Sequence, residues 1–257
     1  MTLDVGRLSP PPAGFGLCPR CAYLQAGTPE ICYSCALTKV QDVGGIAPRC
    51  QVCDSSLKAD RTCGNPLCGW ADRSFDWNRA IAYRTGALER VLNSYKFDGK
   101  KGWALILGRL LVAFLEAQRD EFRQFNLIAG NPAFMGRGAA RDWDPVRTII
   151  DAAASLTGST WPFDLGRPPV IVKIKPTTPM KQVTNWRERK RVAEKEIRAS
   201  LVVPGPQKVK GGSILVFDDL FTDGFTLNEV ARCLLANGAR RVCGVSIARQ
   251  MYRVGGH

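Results

Sequence analysis

The sequence predicts an α/β protein: a doubly wound parallel sheet with helices on both faces, preceded by a small metal-binding module. Three observations carry this. From about Asp76 onward, short apolar segments alternate with amphipathic helical ones, the order that builds a parallel sheet. Eight of the ten cysteines fall between residues 18 and 68. The 257 residues are 45% hydrophobic and 23% charged, a globular composition sufficient for one large or two modest domains. The division expected is 1–78 for the cysteine module and 79–257 for the α/β domain.

The cysteines form two sets. Cys18 and Cys21 are followed by Cys32 and Cys35; Cys50 and Cys53 are followed by Cys63 and Cys68. Each set offers four thiolates, enough for one tetrahedral ion with no open position, so two structural Zn²⁺ sites are expected. The intervening sequence is thin in large aliphatic residues, and metal binding would supply its folding energy. A disulfide framework or an iron–sulfur cluster are the alternatives, and ligand pairing is sequential or interleaved. Cys233 and Cys243 read as small core residues.

In the α/β part, Ala87–Tyr95 reads as a helix, and Trp103–Phe122 carries apolar residues at helical spacing. Asn126–Gly130 reads as a strand, Asp144–Leu156 as a helix, Pro169–Lys175 as a strand and Asn185–Ser200 as a charged helix. Ser213–Phe217 is a near-continuous apolar run suited to the interior of a parallel sheet. Gly224–Ala236 is the next helix, and Arg241–Ala248 the last strand.

Formal charge is +13, from 36 Lys and Arg against 23 Asp and Glu. Residues 81–257 hold 28 of the basic and 16 of the acidic side chains. Such a field favours anionic partners. The single histidine, His257, is the last residue, which sets aside mechanisms built on a histidine base. Neither a secretory signal nor a membrane span is read, so a cytoplasmic location is expected.

The chemistry concentrates in one segment. The apolar run ending at Val216 and Phe217 continues as Asp218-Asp219-Leu220-Phe221-Thr222-Asp223-Gly224-Phe225-Thr226 and then a helix. Two adjacent carboxylates at a strand end suit a pair of ribose hydroxyls, or Mg²⁺ directly or through water. The amides that open the helix form an anion cradle. Together they describe a ribose 5-phosphate site.

That run resembles the phosphoribosyl pyrophosphate (PRPP) motif of type I phosphoribosyltransferases. The resemblance places the ribose hydroxyls on Asp218 and Asp219 and the 5-phosphate on Thr222, Asp223, Gly224, Phe225 and Thr226. Two positions depart from the motif: Phe221 replaces a small aliphatic residue and Asp223 replaces a threonine. A carboxylate facing a dianion is unfavourable unless it points away or a cation intervenes.

Three further stretches narrow the likeness: Leu92–Lys100, the Thr177–Gln182 segment with Arg187 and Arg189, and Gly130-Asn131-Pro132-Ala133 at the position of a pyrophosphate loop. As a whole the chain is similar to the ComF (ComFC) competence family, a cysteine zinc module joined to a type I phosphoribosyltransferase domain. That family has one four-ligand site, so a second set is an addition. The resemblance implies Asp218, Asp219, Lys175 and Arg187 as catalytic residues. It implies Gly130, Asn131, Lys181 and Gln182 as further substrate contacts, with Mg²⁺ accompanying PRPP. The implied reaction is phosphoribosyl transfer with release of pyrophosphate, linked to DNA uptake or nucleic-acid processing.

Two other readings stay open. One is a single-stranded nucleic-acid-binding protein using the zinc module, the basic field and aromatics such as Trp70, Phe75, Trp77 and Trp186. The other is a regulatory, catalytically inactive phosphoribosyltransferase homologue.

Overall fold

The computed structural model describes residues 48–250; the set Cys18, Cys21, Cys32 and Cys35 lies outside them. In chain order the elements are β1 (Asn78–Tyr83), α1 (Gly86–Phe97), α2 (Trp103–Ala117), the short α3 (Arg119–Phe122), β2 (Leu127–Gly130), α4 (Pro145–Thr157), β3 (Val172–Lys173), α5 (Trp186–Val192), β4 (Leu201–Val202), β5 (Ser213–Phe221), α6 (Phe225–Ala236) and β6 (Arg241–Arg249). Four strands form one sheet in the order β1-β6-β5-β2, every pairing parallel. β3 and β4 make a separate antiparallel pair.

The alternation of side chains along β5 divides the core. Leu215 and Phe217 join Leu107, Leu111 and Leu115 of α2 and Ile149, Ile150 and Ala153 of α4. Ile214 and Val216 join Val230 and Leu234 of α6 and Ile197. Both faces of the central strand are therefore dry, as its continuous apolar run requires. α2 and α4 cross closely at Gly108, where a Cβ would lie 2.9 Å from the backbone nitrogen of Ala153. α4 starts where the sequence signals it: Asp144 accepts a hydrogen bond from the Arg147 amide at 3.0 Å, and Pro145 occupies the first turn.

Part of the segment before β1 contributes to the second core. Cys50, Cys53, Leu67 and Phe75 are buried in the same cluster as α6. The module also lies along the outer edge of β1: the Asn78 amide donates to the Val52 carbonyl at 2.7 Å and the Ala80 amide to Asp54 Oδ2 at 2.9 Å. Two outward amides of β1 are thus paired rather than open.

Several boundaries differ from the expectation. β1 was not anticipated. The long helix ends at Ala117, with α3 a separate turn. The Pro169–Lys175 strand contracts to Val172–Lys173, because the Val170 amide is taken by Asp164 Oδ2 at 2.7 Å and not by a ladder. The charged helix 185–200 is α-helical only to Val192, then a π turn to Ile197 and a 3₁₀ turn to Ser200. β5 continues four residues past Phe217, so Asp218 and Asp219 are strand residues, with Asp218 opposite Ser246 of β6. Trp77 and Phe75, weighed as stacking aromatics, are core residues: both are buried, Trp77 against Phe122 and Phe125. Cys243 is wholly buried, its thiol pushed up to about 12 by burial, as suits a core residue.

Candidate functional site

The carboxyl ends of β5 and β2 open into a cleft of about 930 Å³, within the range of small-ligand sites and at the position where ligands of open parallel sheets bind. Asp218, Asp219, Thr222, Asp223, Gly224, Phe225, Thr226, Asn131, Lys181 and Gln182 all line it. Gly130 lines a neighbouring cavity of about 410 Å³ that shares Asn131. Lys175 and Arg187 are exposed and do not line the cleft.

Both aspartates are engaged by the protein, yet the cleft remains open. Asp218 accepts from the Asn131 side-chain amide at 2.7 Å and from the Asp219 backbone amide at 2.8 Å. Asp219 is buried and pairs with Lys96 Nζ, 2.7 Å from Oδ2. Lys96 comes from the last turn of α1, so the Leu92–Lys100 stretch supplies the counter-charge to a residue 123 positions away. Arg141 lines the cleft and donates to the Lys96 carbonyl at 2.7 Å.

Burial, and then the neighbouring Asp219 charge, raise the Asp218 carboxyl well above its ordinary 3.8, with Lys96 opposing. An acid whose pKa is higher folded than unfolded holds more protons in the folded chain. Stability from this group is therefore present at low pH and lost as pH rises above the unfolded value. Asp218→Asn should remove that penalty. The Asn131 Oδ1 atom, buried without a hydrogen-bond partner, can accept the new amide if the Asn131 amide turns over. In the absence of ligand the variant should be more stable than the parent at neutral pH by about 0.5–2 kcal/mol, the usual scale for relieving a functional strain. Thermal melts from about pH 4 to 8 should show the two converging near pH 4; a variant melting below the parent at pH 7 contradicts this.

The loop after β5 turns at Gly224, which has φ +91°. A Cβ there would meet the Phe221 ring at 2.7 Å and the Phe75 ring at 3.3 Å, so both conformation and space call for glycine. This also accounts for Phe221: its side chain is buried edge-on against Phe75, 6.2 Å between centroids, behind the loop. Asp223 forms an ion pair with Arg189 of α5. The first turn of α6 contributes amides without intrahelical partners.

Cys50, Cys53, Cys63 and Cys68 converge, all four Sγ atoms lying within 4.8 Å of one another, with Cys53 and Cys63 at 3.6 Å. Four sulfurs about 2.3 Å from a tetrahedral Zn²⁺ would stand about 3.8 Å apart, so the set fits a zinc ion by itself, with sequential pairing. The Asn65 amide points at Cys63 Sγ, 3.4 Å away. Hydrogen bonding among the four thiols, aided by Arg249, holds the Cys53 thiol far below the ordinary range and pushes Cys63 and Cys68 above it.

Fold and site thus define an α/β protein with a ligand cleft at the carboxyl end of a parallel sheet and a cysteine metal module docked behind it. The chain is 25% identical over 229 residues to the DNA utilization protein YhgH of Escherichia coli, covering 83% of this chain and 94% of that protein. It is 26% identical over 229 residues to YhgH of Salmonella typhimurium. It is 24% identical over 177 residues to the competence protein ComFC of Streptococcus pneumoniae, covering 67% of this chain and 68% of that protein. No family model matches. The likeness read from the motifs holds: the chain is homologous to ComFC and YhgH. Among the described residues no helix is long and apolar enough to cross a membrane.

The sequence did not point to Lys96 as the partner of Asp219, nor to Arg189 rather than Arg187 as the cleft-side arginine of its segment. The resemblance had marked both stretches without assigning those contacts.

Proposed function

We propose that the cleft binds a ribose 5-phosphate ligand, PRPP with Mg²⁺ foremost, and that the protein serves DNA uptake or processing, as the names of its relatives suggest. The observation that carries the ligand reading is the sequence of events at one corner. Two adjacent carboxylates end the ligand face of β5, and a left-handed glycine then opens α6 inside a cleft of nucleotide size. On this reading Asp218 and Asp219 accept hydrogen bonds from the ribose 2- and 3-hydroxyls. The amides and hydroxyls of Thr222–Thr226 hold the 5-phosphate.

The Asp223 departure from the motif is neutralised within the protein. Its carboxylate is paired with Arg189, so the loop meets the phosphate with no net charge from that position. The inactive-homologue reading loses its main support. Lys96 balances Asp219, and the raised Asp218 carboxyl would give up its proton more readily beside a cation, a setting that suits Mg²⁺; the ion would supply neutralisation of the leaving pyrophosphate. Asn131 and Gly130, at the end of β2, are proposed to meet the pyrophosphate. Lys181, Gln182, Lys175 and Arg187 belong to the segment that would close over it. Such a ligand supports attack by an acceptor at ribose C1 with pyrophosphate departing, the protein contributing position and charge stabilisation.

Titration calorimetry with PRPP and Mg²⁺ tests the reading: saturable binding of one ligand per chain is expected, and none at millimolar ligand removes it. A second arm tests the charge account. Arg189→Ala leaves Asp223 unpaired before the phosphate and should weaken ribose 5-phosphate binding about tenfold or more, on the scale of one charge-assisted contact. Adding Asp223→Thr should restore it; no rescue means that Arg189 acts otherwise.

A specific observation also favours nucleic acid at the cleft mouth. Phe97 is 48% exposed, with Lys181 Nζ 3.9 Å and the Arg141 guanidinium 5.2 Å from its ring centre. An exposed ring beside two cations suits a stacked base and its phosphate. Single-strand binding that falls steeply with salt is expected, and absence of binding at low salt rejects it.

A further inference from the structure

Arg249 closes β6 and is wholly buried; it does not line the cleft. Its guanidinium is divided between two places. Toward the cysteine module, Nε donates to the Cys53 carbonyl at 3.0 Å and Nη2 to Ser55 Oγ at 2.5 Å, with Nη2 also 3.7 Å from Cys53 Sγ. Toward the loop, Nη1 donates to the Phe221 carbonyl at 3.3 Å and to the Thr222 carbonyl. The guanidinium lies 5.0 Å from the centre of the Phe221 ring.

A second side chain does the same from the other knuckle. Asn65, between Cys63 and Cys68 and almost fully buried, donates from Nδ2 to the Asp223 carbonyl at 2.9 Å. Its Oδ1 accepts from the Leu67 amide at 3.2 Å, capping the 3₁₀ turn Pro66–Gly69. Three consecutive loop carbonyls, 221 to 223, are thus held by side chains whose own placement depends on the four-cysteine cluster. The described groups that Arg249 touches are carbonyls, a hydroxyl and a thiol, with no carboxylate among them. A buried cation needs a counter-charge, and four thiolates around a divalent ion supply it.

We propose that Arg249 and Asn65 are positioning residues that make the order of the Phe221–Gly224 loop conditional on metal at Cys50, Cys53, Cys63 and Cys68. The cysteine site then sets the geometry of the cleft from behind, without touching anything in it. The order of the loop is a property of the ligand-free chain, so this inference holds or fails independently of which ligand the loop receives.

Amide hydrogen exchange on the full chain tests it, read on peptides spanning 219–228 and, as reference, on β2 and α4. Arg249→Lys and Asn65→Ser keep the four cysteines and, for the serine, the capping oxygen; both are too short to span to the loop. Metal content should remain that of the parent, while loop exchange accelerates about tenfold or more and the reference peptides change less than twofold. Chelation of the parent should accelerate the loop to the same degree. Loop exchange within twofold of the parent in both metal-replete variants, or unchanged after the metal has been removed, overturns the proposal. So does equal acceleration of loop and reference peptides. Should Arg249→Lys not fold, Asn65→Ser decides alone.

Discussion

Asp218→Ala with Asp219→Ala is expected to lower affinity for PRPP and Mg²⁺ by roughly 10²–10⁴-fold. Each carboxylate would accept a hydrogen bond from a ribose hydroxyl, and hydrogen bonds to charged groups contribute about 1.5–3 kcal/mol apiece. The double variant is informative because the two sites are unlike. Asp219 is buried on Lys96, and its removal leaves that ammonium without its partner. Asp218 is a costly carboxylate held by Asn131. Calorimetry on the folded variant, with folding checked by thermal melting, reads the result. Affinity within threefold of the parent would show that the corner does not hold the sugar. The Asp218→Asn melts described above add a cross-check: a site kept for binding at the expense of stability should gain stability when it is neutralised.

Cys53→Ser should lower zinc content by one ion, from the two that eight cysteines imply, and abolish cooperative folding of residues 48–77. Apparent binding free energies for structural zinc are about 10–16 kcal/mol at neutral pH, as large as the net stability of a typical domain. Cys53 is the most buried of its set, at 0% exposure, and a serine hydroxyl there is a far weaker zinc ligand. Metal analysis and thermal unfolding, compared with Cys233→Ser as a control outside the cluster, measure the effect. A Cys53→Ser protein with the parent's metal content and melting temperature would show that the four sulfurs do not hold a structural ion. The other implied ion, at Cys18, Cys21, Cys32 and Cys35, is tested in the same way by Cys21→Ser.

What could be read beforehand was what local chemistry writes plainly. Paired cysteines three residues apart, an apolar run ending in Asp-Asp, and a glycine opening a helix each constrain one short stretch of backbone. β1 escaped because Asn78-Arg79-Ala80-Ile81-Ala82-Tyr83 has little of the apolar density of β5. Its pairing is set by β6, which lies far ahead in the chain. The end of β5 was placed too early because the carboxylates look like a turn, whereas the parallel ladder to Ser246 and Ala248 carries them onward as strand. Lys96 and Arg189 belong to the same class of miss. Each is an ordinary basic residue in a charged helix until the fold brings it against an aspartate. Arg187 and Arg189 stand two positions apart and so on different sides of α5, and charge counting cannot choose between them.

The seating of Val52 and Asp54 along β1 has one more implication. Those two acceptors are the described groups that occupy the outermost amides of the sheet, and both sit beside metal ligands. If zinc holds the four cysteines, its loss would loosen both acceptors together. The freed amides of β1 would then form an open sheet edge, the kind of edge on which another strand can pair.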